Sequence, residues 1–181
     1  MRSKFTDFLV KMSLKIGLIS DSHSYLDHKT CDYLQEVDEI WHAGDIGDVS
    51  ILSGLPPNKP LRAVFGNIDD QVVQKQFPEW QVFELEGVKV AMTHIGGSPP
   101  RYAKGVKERL RMLQPQLFVC GHSHICKVEY DPELNCFYMN PGAVGQHGFH
   151  QIRTLLRFDL GAGKITNLRV VELGKRGALS T

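Results

Sequence analysis

Five apolar segments of the sequence each end in a short motif that carries an aspartate, an asparagine or a histidine. In chain order these motifs are SDSH (20–23), AGDIGD (43–48), FGNIDD (65–70), MTHIGG (92–97) and CGHSH (120–124). Carboxylate, amide and imidazole groups are ligands for divalent metals. One Asp-x-His or Gly-Asp pair alone is uninformative, because such pairs are frequent in turns. The succession of all five, each after an apolar segment, is improbable as coincidence and predicts a metal site.

The segments before these motifs have the length and composition of buried strands. In the first third of the chain, predicted strands alternate with helical connections, which favours an α/β fold with parallel pairing. The predicted strands are 14–20, 39–43 and 61–65, and the predicted helices are 27–37 and 48–54. Because the loops beyond the carboxyl ends of such strands meet at one crevice, we expect the polar motifs to lie together.

The second half of the chain is richer in antiparallel signals. A Glu86-Gly87 turn is predicted between strands 82–85 and 88–93, and a Gly-Ala-Gly turn between strands 152–160 and 164–173. The pattern also predicts a helix at 102–113 and strands at 117–120, 127–130 and 136–139. Residues 174–181 are expected to fray. We expect one domain with mixed sheets over residues 12–181, preceded by a dispensable extension at 1–11.

Composition narrows the class of protein. The chain has 181 residues, 42% hydrophobic and 23% charged, with a formal charge of +1. This balance creates no global field that would attract nucleic acid or an anionic membrane. The four cysteines (31, 120, 126 and 136) form no CxxC pair. With no signal or spanning segment evident, we expect reduced thiols in a cytoplasmic protein.

With its motifs in this order, the chain resembles the calcineurin-like metallophosphoesterases over residues 14–173. The segment NPGAVG (140–145) is similar to the NPGS-type loop of the small YfcE-like phosphodiesterases, and the resemblance is closest to that group. It implies an α/β fold of two packed mixed β-sheets flanked by helices, an α/β/β/α sandwich. The predicted elements agree with this fold but do not by themselves lead to it.

The resemblance also implies two metal ions and their ligands. One ion would be bound by Asp21, His23 and His124, the second by Asn67, His94 and His122, with Asp45 bridging them. Asn67 and His122 are also the candidate catalytic residues. Nitrogen and oxygen ligands without a thiolate favour two divalent transition metal ions, with Mn²⁺ as the first expectation and Fe, Zn²⁺, Ni²⁺ or Co²⁺ as alternatives. Two carboxylates leave such a pair of ions with excess positive charge, which attracts phosphate.

The predicted activity is therefore hydrolysis of phosphodiesters by in-line attack of metal-bound hydroxide, without a covalent enzyme intermediate. The expected substrate is a small phosphodiester or a nucleotide-like molecule. We expect no membrane partner and no nucleic-acid surface. The sequence allows a homo-oligomer but does not predict one. Arg101 and His147 are the candidate substrate contacts, although an ordinary loop leading into a helix is the simpler explanation for Arg101 and Lys104. Asp69 is expected to accept a hydrogen bond beside the site.

Position 68 departs from the family pattern. The family loop reads Gly-Asn-His followed by an acid, and its histidine is proposed to protonate the leaving group. Here Ile68 replaces that histidine, as a non-histidine residue commonly does in the YfcE-like group. Without a positioned acid, an enzyme works best on esters whose leaving group is already acidic. We therefore expect weak activity on alkyl monoesters.

A catalytically silent scaffold is the alternative function. The retromer subunit of this fold resembles a phosphoesterase but serves in protein–protein assembly, and degraded ligands mark that branch. Fold alone does not decide between the two functions. All seven ligand positions are filled here, which favours the enzyme.

Overall fold

The computed structural model describes residues 13–177. The strands are β1 (Leu14–Ile19), β2 (Glu39–His42), β3 (Leu61–Ala63), β4 (Trp80–Leu85), β5 (Val88–Thr93), β6 (Gly97–Ser98), β7 (Arg101–Tyr102), β8 (Leu117–Val119), β9 (Cys126–Asp131), β10 (Cys136–Pro141), β11 (Ile152–Gly161) and β12 (Lys164–Lys175). The helices are α1 (His28–Gln35), α2 (Gln71–Gln76) and α3 (Val106–Leu113), with a 3₁₀ helix at Val49–Gly54.

The first sheet has the strand order β12-β11-β1-β2-β3. Its strands β1, β2 and β3 are parallel, so their carboxyl ends share one edge of the sheet. Strand β11 runs antiparallel to β1, and β12 forms the predicted hairpin with β11. The arrangement is a mixed sheet, in which the helical connections belong to the parallel part.

The second sheet has the strand order β4-β5-β8-β10-β9. Strands β5, β8 and β10 are parallel, while β4 and β9 pair antiparallel at the two edges. The carboxyl ends of β5 and β8 therefore also lie side by side. The short strands β6 and β7 form a separate two-stranded ribbon.

The central core lies between the two sheets. Leu18 and Trp41 from the first sheet and Met92 from the second belong to one fully buried cluster. The Trp41 ring meets the Phe83 and Phe158 rings edge-on, with centroids 5.2 and 5.5 Å away. Because side chains alternate along a strand, neighbouring residues face outward instead.

Helices cover the outward faces of both sheets. Leu34 of α1 packs in a cluster with Ile19 and Ile40 of the first sheet. Leu110 of α3 packs in a cluster with Phe118 of the second sheet. The layers are thus helix, sheet, sheet and helix, and the predicted α/β/β/α sandwich is confirmed.

Helix α2 was not predicted, although its start signal is present in the sequence. The Asp70 side chain accepts hydrogen bonds from the backbone N–H groups of Val72 and Val73, at 2.8 and 3.1 Å, and so caps the helix. The prediction treated Asp70 only as the end of a polar turn. The capped helix fixes the end of the FGNIDD loop.

Several other boundaries differ from the predictions, among them the start of α3 and the end of β12. The helix predicted at 102–113 begins at Val106, because residues 101 and 102 pair with 97 and 98 instead. Strand β12 continues to Lys175, so the prediction that fraying begins at 174 is wrong at that point. Residues 178–181 and the predicted extension at 1–11 lie outside the described residues. Within the described chain, no helix has the length and apolar character needed to cross a bilayer.

Candidate metal centre

The five polar motifs meet where the carboxyl ends of strands from both sheets converge. Backbone hydrogen bonds join the loops in pairs. The Asp21 N–H donates to the Gly44 carbonyl, and the His23 N–H donates to the Asp45 carbonyl, both at 3.0 Å. The Gly121 N–H donates to the His94 carbonyl at 3.0 Å. The convergence predicted from the strand ends is therefore observed.

Six of these side chains form two compact groups. Asp21, His23 and His124 each offer one ligand atom within 4.8 Å of the others, and Asp45, His94 and His122 do the same. Each group combines residues that follow strands of the first sheet with residues that follow β5 or β8 of the second. The two groups bring together six of the seven residues that the family resemblance implied as ligands, and their role as metal ligands stays a prediction.

Asp45 lies between the two groups. Its Oδ2 atom is 3.6 Å from His23 Nε2, while its Oδ1 atom is 3.2 Å from His94 Nε2. One carboxylate oxygen thus faces each group. This is the position that a residue shared by two cations must occupy.

The FGNIDD loop is tied to Asp45. The Ile68 N–H donates to Asp45 Oδ1 at 3.1 Å. Asp69 accepts from the N–H groups of Gly47 and Gly66, each at 2.7 Å, so the acceptor role predicted for it is observed. Asn67 is exposed and lines a cavity together with His94, which leaves its amide accessible at the edge of the second group.

Left-handed backbone is concentrated in the two groups. The φ angles are 54° at Asp21, 46° at His23, 54° at Asp45, 68° at His122 and 58° at His124. Such a conformation costs a residue other than glycine about 1–3 kcal/mol of conformational free energy. It persists only where the surrounding structure imposes it. Strain of this kind is typical of functional sites, and here it directs the side chains toward one another.

Two buried atoms in the centre lack a hydrogen-bond partner among the described residues, namely Asp21 Oδ1 and His94 Nε2. Both residues are almost inaccessible to solvent. His94 Nδ1 lies 2.8 Å from the Ala43 carbonyl and donates to it, which leaves the Nε2 lone pair free. A buried lone pair with no donor is costly unless a cation or a proton occupies the space beside it. These atoms fit a bound metal ion.

The side chain of His150 supports His124, a contact that the sequence prediction missed. His150 Nε2 donates to the Gly145 carbonyl at 3.1 Å, so its Nδ1 is the acceptor for His124 Nδ1–H at 3.2 Å. His124 Nε2 is then unprotonated and lies 3.1 Å from Asp21 Oδ1. A second histidine thereby sets the tautomer of a candidate ligand. Only its place after NPGAVG hinted at this role.

The electrostatics of the centre favour positive charge. Burial alone would lower the pKa of His94, but contact with Asp45 and the nearby Asp21 outweigh burial and raise that pKa. Burial would raise the pKa of Asp45, yet the His94 imidazole and the Ile68 N–H lower it on balance. For His23, burial dominates over the two carboxylates and lowers the pKa. The Asp45 carboxylate therefore stays ionised near pH 7 and favours a cation at His94 Nε2.

His42 is fully buried beside the centre and supports the loops that carry the candidate ligands. Its Nδ1 accepts from the Gly44 N–H at 3.2 Å, and its Nε2–H donates to Ser22 Oγ at 2.8 Å. Ser22 Oγ donates in turn to the Ile46 carbonyl at 3.1 Å. Burial lowers the pKa of His42 to about 4, so the ring is neutral near pH 7.

The NPGAVG segment positions the histidines of the CGHSH motif. Asn140 is completely buried, and its amide donates to the Gly121 carbonyl at 2.7 Å and to Ser123 Oγ at 3.1 Å. Its Oδ1 atom accepts from the Gly142 N–H at 3.0 Å. The resemblance in this segment thus corresponds to a physical role, which is to fix the backbone between His122 and His124.

Two cavities flank the centre. The larger, of about 610 Å³, is lined by His94 and Asn67, and the smaller, of about 280 Å³, by His122 and Arg101. Arg101 therefore lies beside the second group, as expected of a substrate contact. The exposed His147 ring is 4.8 Å from the His23 ring, centroid to centroid, at the opposite end of the centre.

Sequence comparison identifies the class of protein that this fold and centre define. Residues 14–163 match the calcineurin-like phosphoesterase superfamily domain, so the chain belongs to that superfamily. It is 29% identical over 147 residues to a probable metallophosphoesterase of Methanocaldococcus jannaschii, covering 76% of this chain and 72% of the relative.

Structural comparison agrees at the level of the fold. A structure described as a novel archaeal phosphodiesterase has a TM-score of 0.68 and 19% identity, covering 88% of this chain and all of the other. A single-residue variant of Vps29 from Entamoeba histolytica has a TM-score of 0.70 and 13% identity, covering 89% of this chain and all of the other. One fold thus serves proteins that carry quite different names.

Proposed function

We propose that the protein is a phosphodiesterase that works with two divalent transition metal ions. The observation that carries this proposal is the position of Asp45, with one carboxylate oxygen toward His23 and the other toward His94. A carboxylate between two groups of three potential ligands is the arrangement that a pair of ions requires. Membership of the superfamily supports hydrolysis of a phosphoester.

The residues have distinct proposed roles. Asp21, His23 and His124 would hold one ion, and Asn67, His94 and His122 would hold the other, with Asp45 between them. Two bound ions would supply positive charge for the phosphate and activate a water for in-line displacement. The donor atoms are oxygens and imidazole nitrogens, which suit Mn²⁺ first and Fe, Zn²⁺, Ni²⁺ or Co²⁺ as alternatives.

The preference for diesters rests on position 68. Ile68 is 45% exposed beside the centre and has no proton to give to a leaving group. Hydrolysis should therefore favour diesters with acidic leaving groups and be weak on alkyl monoesters. Arg101 and His147 are the proposed contacts to the substrate at the two ends of the centre. The residue at position 68 supports a place in the YfcE-like group, and we also propose that the protein acts in the cytoplasm.

The test uses bis-p-nitrophenyl phosphate and protein freed of metal by chelation. We expect no turnover without metal and restored turnover with added Mn²⁺. The same assay is then repeated with Fe, Zn²⁺, Ni²⁺ and Co²⁺. His122→Ala should abolish metal-dependent turnover, because it removes a ligand of the second group. His28→Gln is the matched control, since His28 is exposed at the start of α1 and should behave as wild type.

If the protein is instead a catalytically silent scaffold, the same assay should show no metal-dependent turnover. Complete inactivity with every metal, and no difference between wild type and His122→Ala, would reject the enzyme and favour assembly with another protein. The likeness to the Vps29 variant supports that alternative only as a likeness of fold. The unpartnered atoms of Asp21 and His94 favour the enzyme.

A further inference from the structure

The larger cavity beside the centre has a composition that the proposed chemistry does not by itself require. It opens next to His94 and Asn67 and has a volume of about 610 Å³. Cavities of 300–1,000 Å³ are typical of sites for small organic molecules. A phosphate group alone would need only the ions and the residues around them. The remaining volume is available to a substituent on that phosphate.

One wall of this cavity is apolar and aromatic. Phe65, Trp80 and Ile95 line it, and Ile95 is 44% exposed although it follows directly on His94. An exposed aliphatic side chain beside an aromatic ring gives a flat organic group a surface on which to pack. A small alkyl substituent would leave most of this wall in water.

Two cations line the same cavity, which also contains one carboxylate, that of Glu79. Lys104 and Arg109 both line it, and neither is within 4.0 Å of a carboxylate in the part of the chain that the structure describes. The Arg109 guanidinium lies 4.2 Å from the centroid of the Trp80 ring. Stacking on the indole restricts the guanidinium while its N–H groups stay available to an anion.

We propose that this cavity is the subsite for one ester substituent of the substrate, and that this substituent is a planar aromatic group with a negative charge of its own. A nucleoside phosphate has this chemistry: the base would pack on the apolar wall beside Phe65 and Ile95, and the additional phosphate would meet Lys104 and Arg109. The inference depends on the proposed function for the identity of the reaction, but binding in the cavity is independent of turnover. The smaller cavity beside His122 would take the second substituent.

Binding is measured on chelator-treated protein, so that the metal ions contribute nothing. Trp80 lies in the cavity, whereas Trp41 is buried in the core, so ligand-dependent quenching of tryptophan emission reports on the cavity. The probes are adenosine 5′-monophosphate, adenosine and inorganic phosphate. We expect the monophosphate to bind about 10-fold or more tightly than either of the other two, because only it uses both the wall and the cations.

Single-residue variants test whether Lys104 and Arg109 recognise the phosphate of the ligand. Arg109→Gln and Lys104→Gln should each weaken binding of the monophosphate by about 5-fold or more and leave adenosine almost unaffected, because only the anion loses a partner. Arg111→Gln is the control: Arg111 lies on the same helix but pairs with Glu133, outside the cavity. Equal binding of monophosphate and phosphate, or equal effects of the three variants, would overturn the proposal.

The two proposals fail in different experiments. If bis-p-nitrophenyl phosphate is not hydrolysed with any metal but the monophosphate still binds as described, the proposed function fails and the subsite stands. If hydrolysis occurs and the monophosphate shows no advantage over phosphate, the subsite fails and the phosphodiesterase stands.

Discussion

His124 and His150 face each other through their Nδ1 atoms, which are 3.2 Å apart. The other ring nitrogen of His150 donates to the Gly145 carbonyl, so the proton between the two rings belongs to His124. This relationship leaves His124 Nε2 free to bind a metal ion. It also gives His150 a role in the centre although it offers no ligand atom to either group.

Replacing His150 with alanine should weaken metal binding by the Asp21, His23 and His124 group. Partners of this kind typically contribute about 10–100-fold in affinity. Titration of the metal-free protein with Mn²⁺ in the presence of a competing indicator dye would measure the loss of metal affinity. His150→Gln keeps an acceptor and should recover part of it, and His28→Gln should change nothing. Unaltered affinity in His150→Ala would show that the tautomer of His124 is set without His150.

Replacing Asp45 with asparagine should lower occupancy of both groups at once. The substitution keeps the shape but removes the charge that lies between His23 and His94. His122→Ala affects only the second group, so about one ion per chain should remain. Equilibrium dialysis followed by elemental analysis would distinguish the two variants. If Asp45→Asn retains one tightly bound ion, Asp45 does not serve both groups.

Replacing Ile68 with histidine should raise activity toward poor leaving groups. The backbone N–H of residue 68 binds Asp45 Oδ1 whatever side chain follows, and the exposed position can accept an imidazole. A positioned acid adds up to about 10²–10⁴-fold, and most for the least acidic leaving groups. The measurement is kcat/KM across a series of aryl and alkyl diesters. Ile68→Gln, polar but without the acid, is the matched control, and parallel behaviour of the two variants would refute a proton-donor role at position 68.

His42 should make the metal-free protein sensitive to acid. Its pKa is about 4 in the folded protein, against an ordinary value of 6.5, so the unfolded chain takes up the proton first. The neutral ring therefore contributes stability in full above about pH 6.5 and loses it as the pH falls toward 4, by roughly 3 kcal/mol in total.

Urea unfolding with chelator present would measure this linkage. Between pH 7 and pH 5 the wild type should lose about 2 kcal/mol more than His42→Gln, even though that variant is less stable at pH 7. Carboxylates such as Asp45 titrate in both proteins and cancel in the comparison. His28→Gln should keep the wild-type dependence on pH, and an identical slope for His42→Gln would contradict the burial of a neutral ring.

That the polar motifs lie together was predictable from sequence, because each motif follows a predicted strand. Strand ends in a parallel sheet share an edge, so Asp21 and Asp45 could be brought together without knowledge of the loops. The division of these residues into two ligand sets came from the family resemblance, since periodicity does not tell which sheets pack face to face. The strands and both hairpins followed from apolar patterns and turn residues in the same way.

Other features depend on packing that no local pattern encodes. His150 reaches His124 only because the chain turns back after Gly145, so its spacing in sequence carries no signal. The start of α3 moved for a different reason: residues 101 and 102 pair with residues 97 and 98 in a short local hairpin, which competes with helix propensity. Asp70 is a residue type that commonly caps helices, so the start of α2 could have been predicted. It was missed because Asp69 and Asp70 together were interpreted as one polar turn.

Each ligand group contains residues that follow strands of both β-sheets, so metal binding should affect the stability of the fold. A bound ion would cross-link the two layers of the sandwich, in a chain whose four cysteines are all unpaired. The sheets could then separate only by releasing the ion. At a free concentration 100 times its dissociation constant, an ion that binds only the folded chain adds about 2.7 kcal/mol of stability. Metal starvation would therefore lower the melting temperature of the protein as well as stop the chemistry.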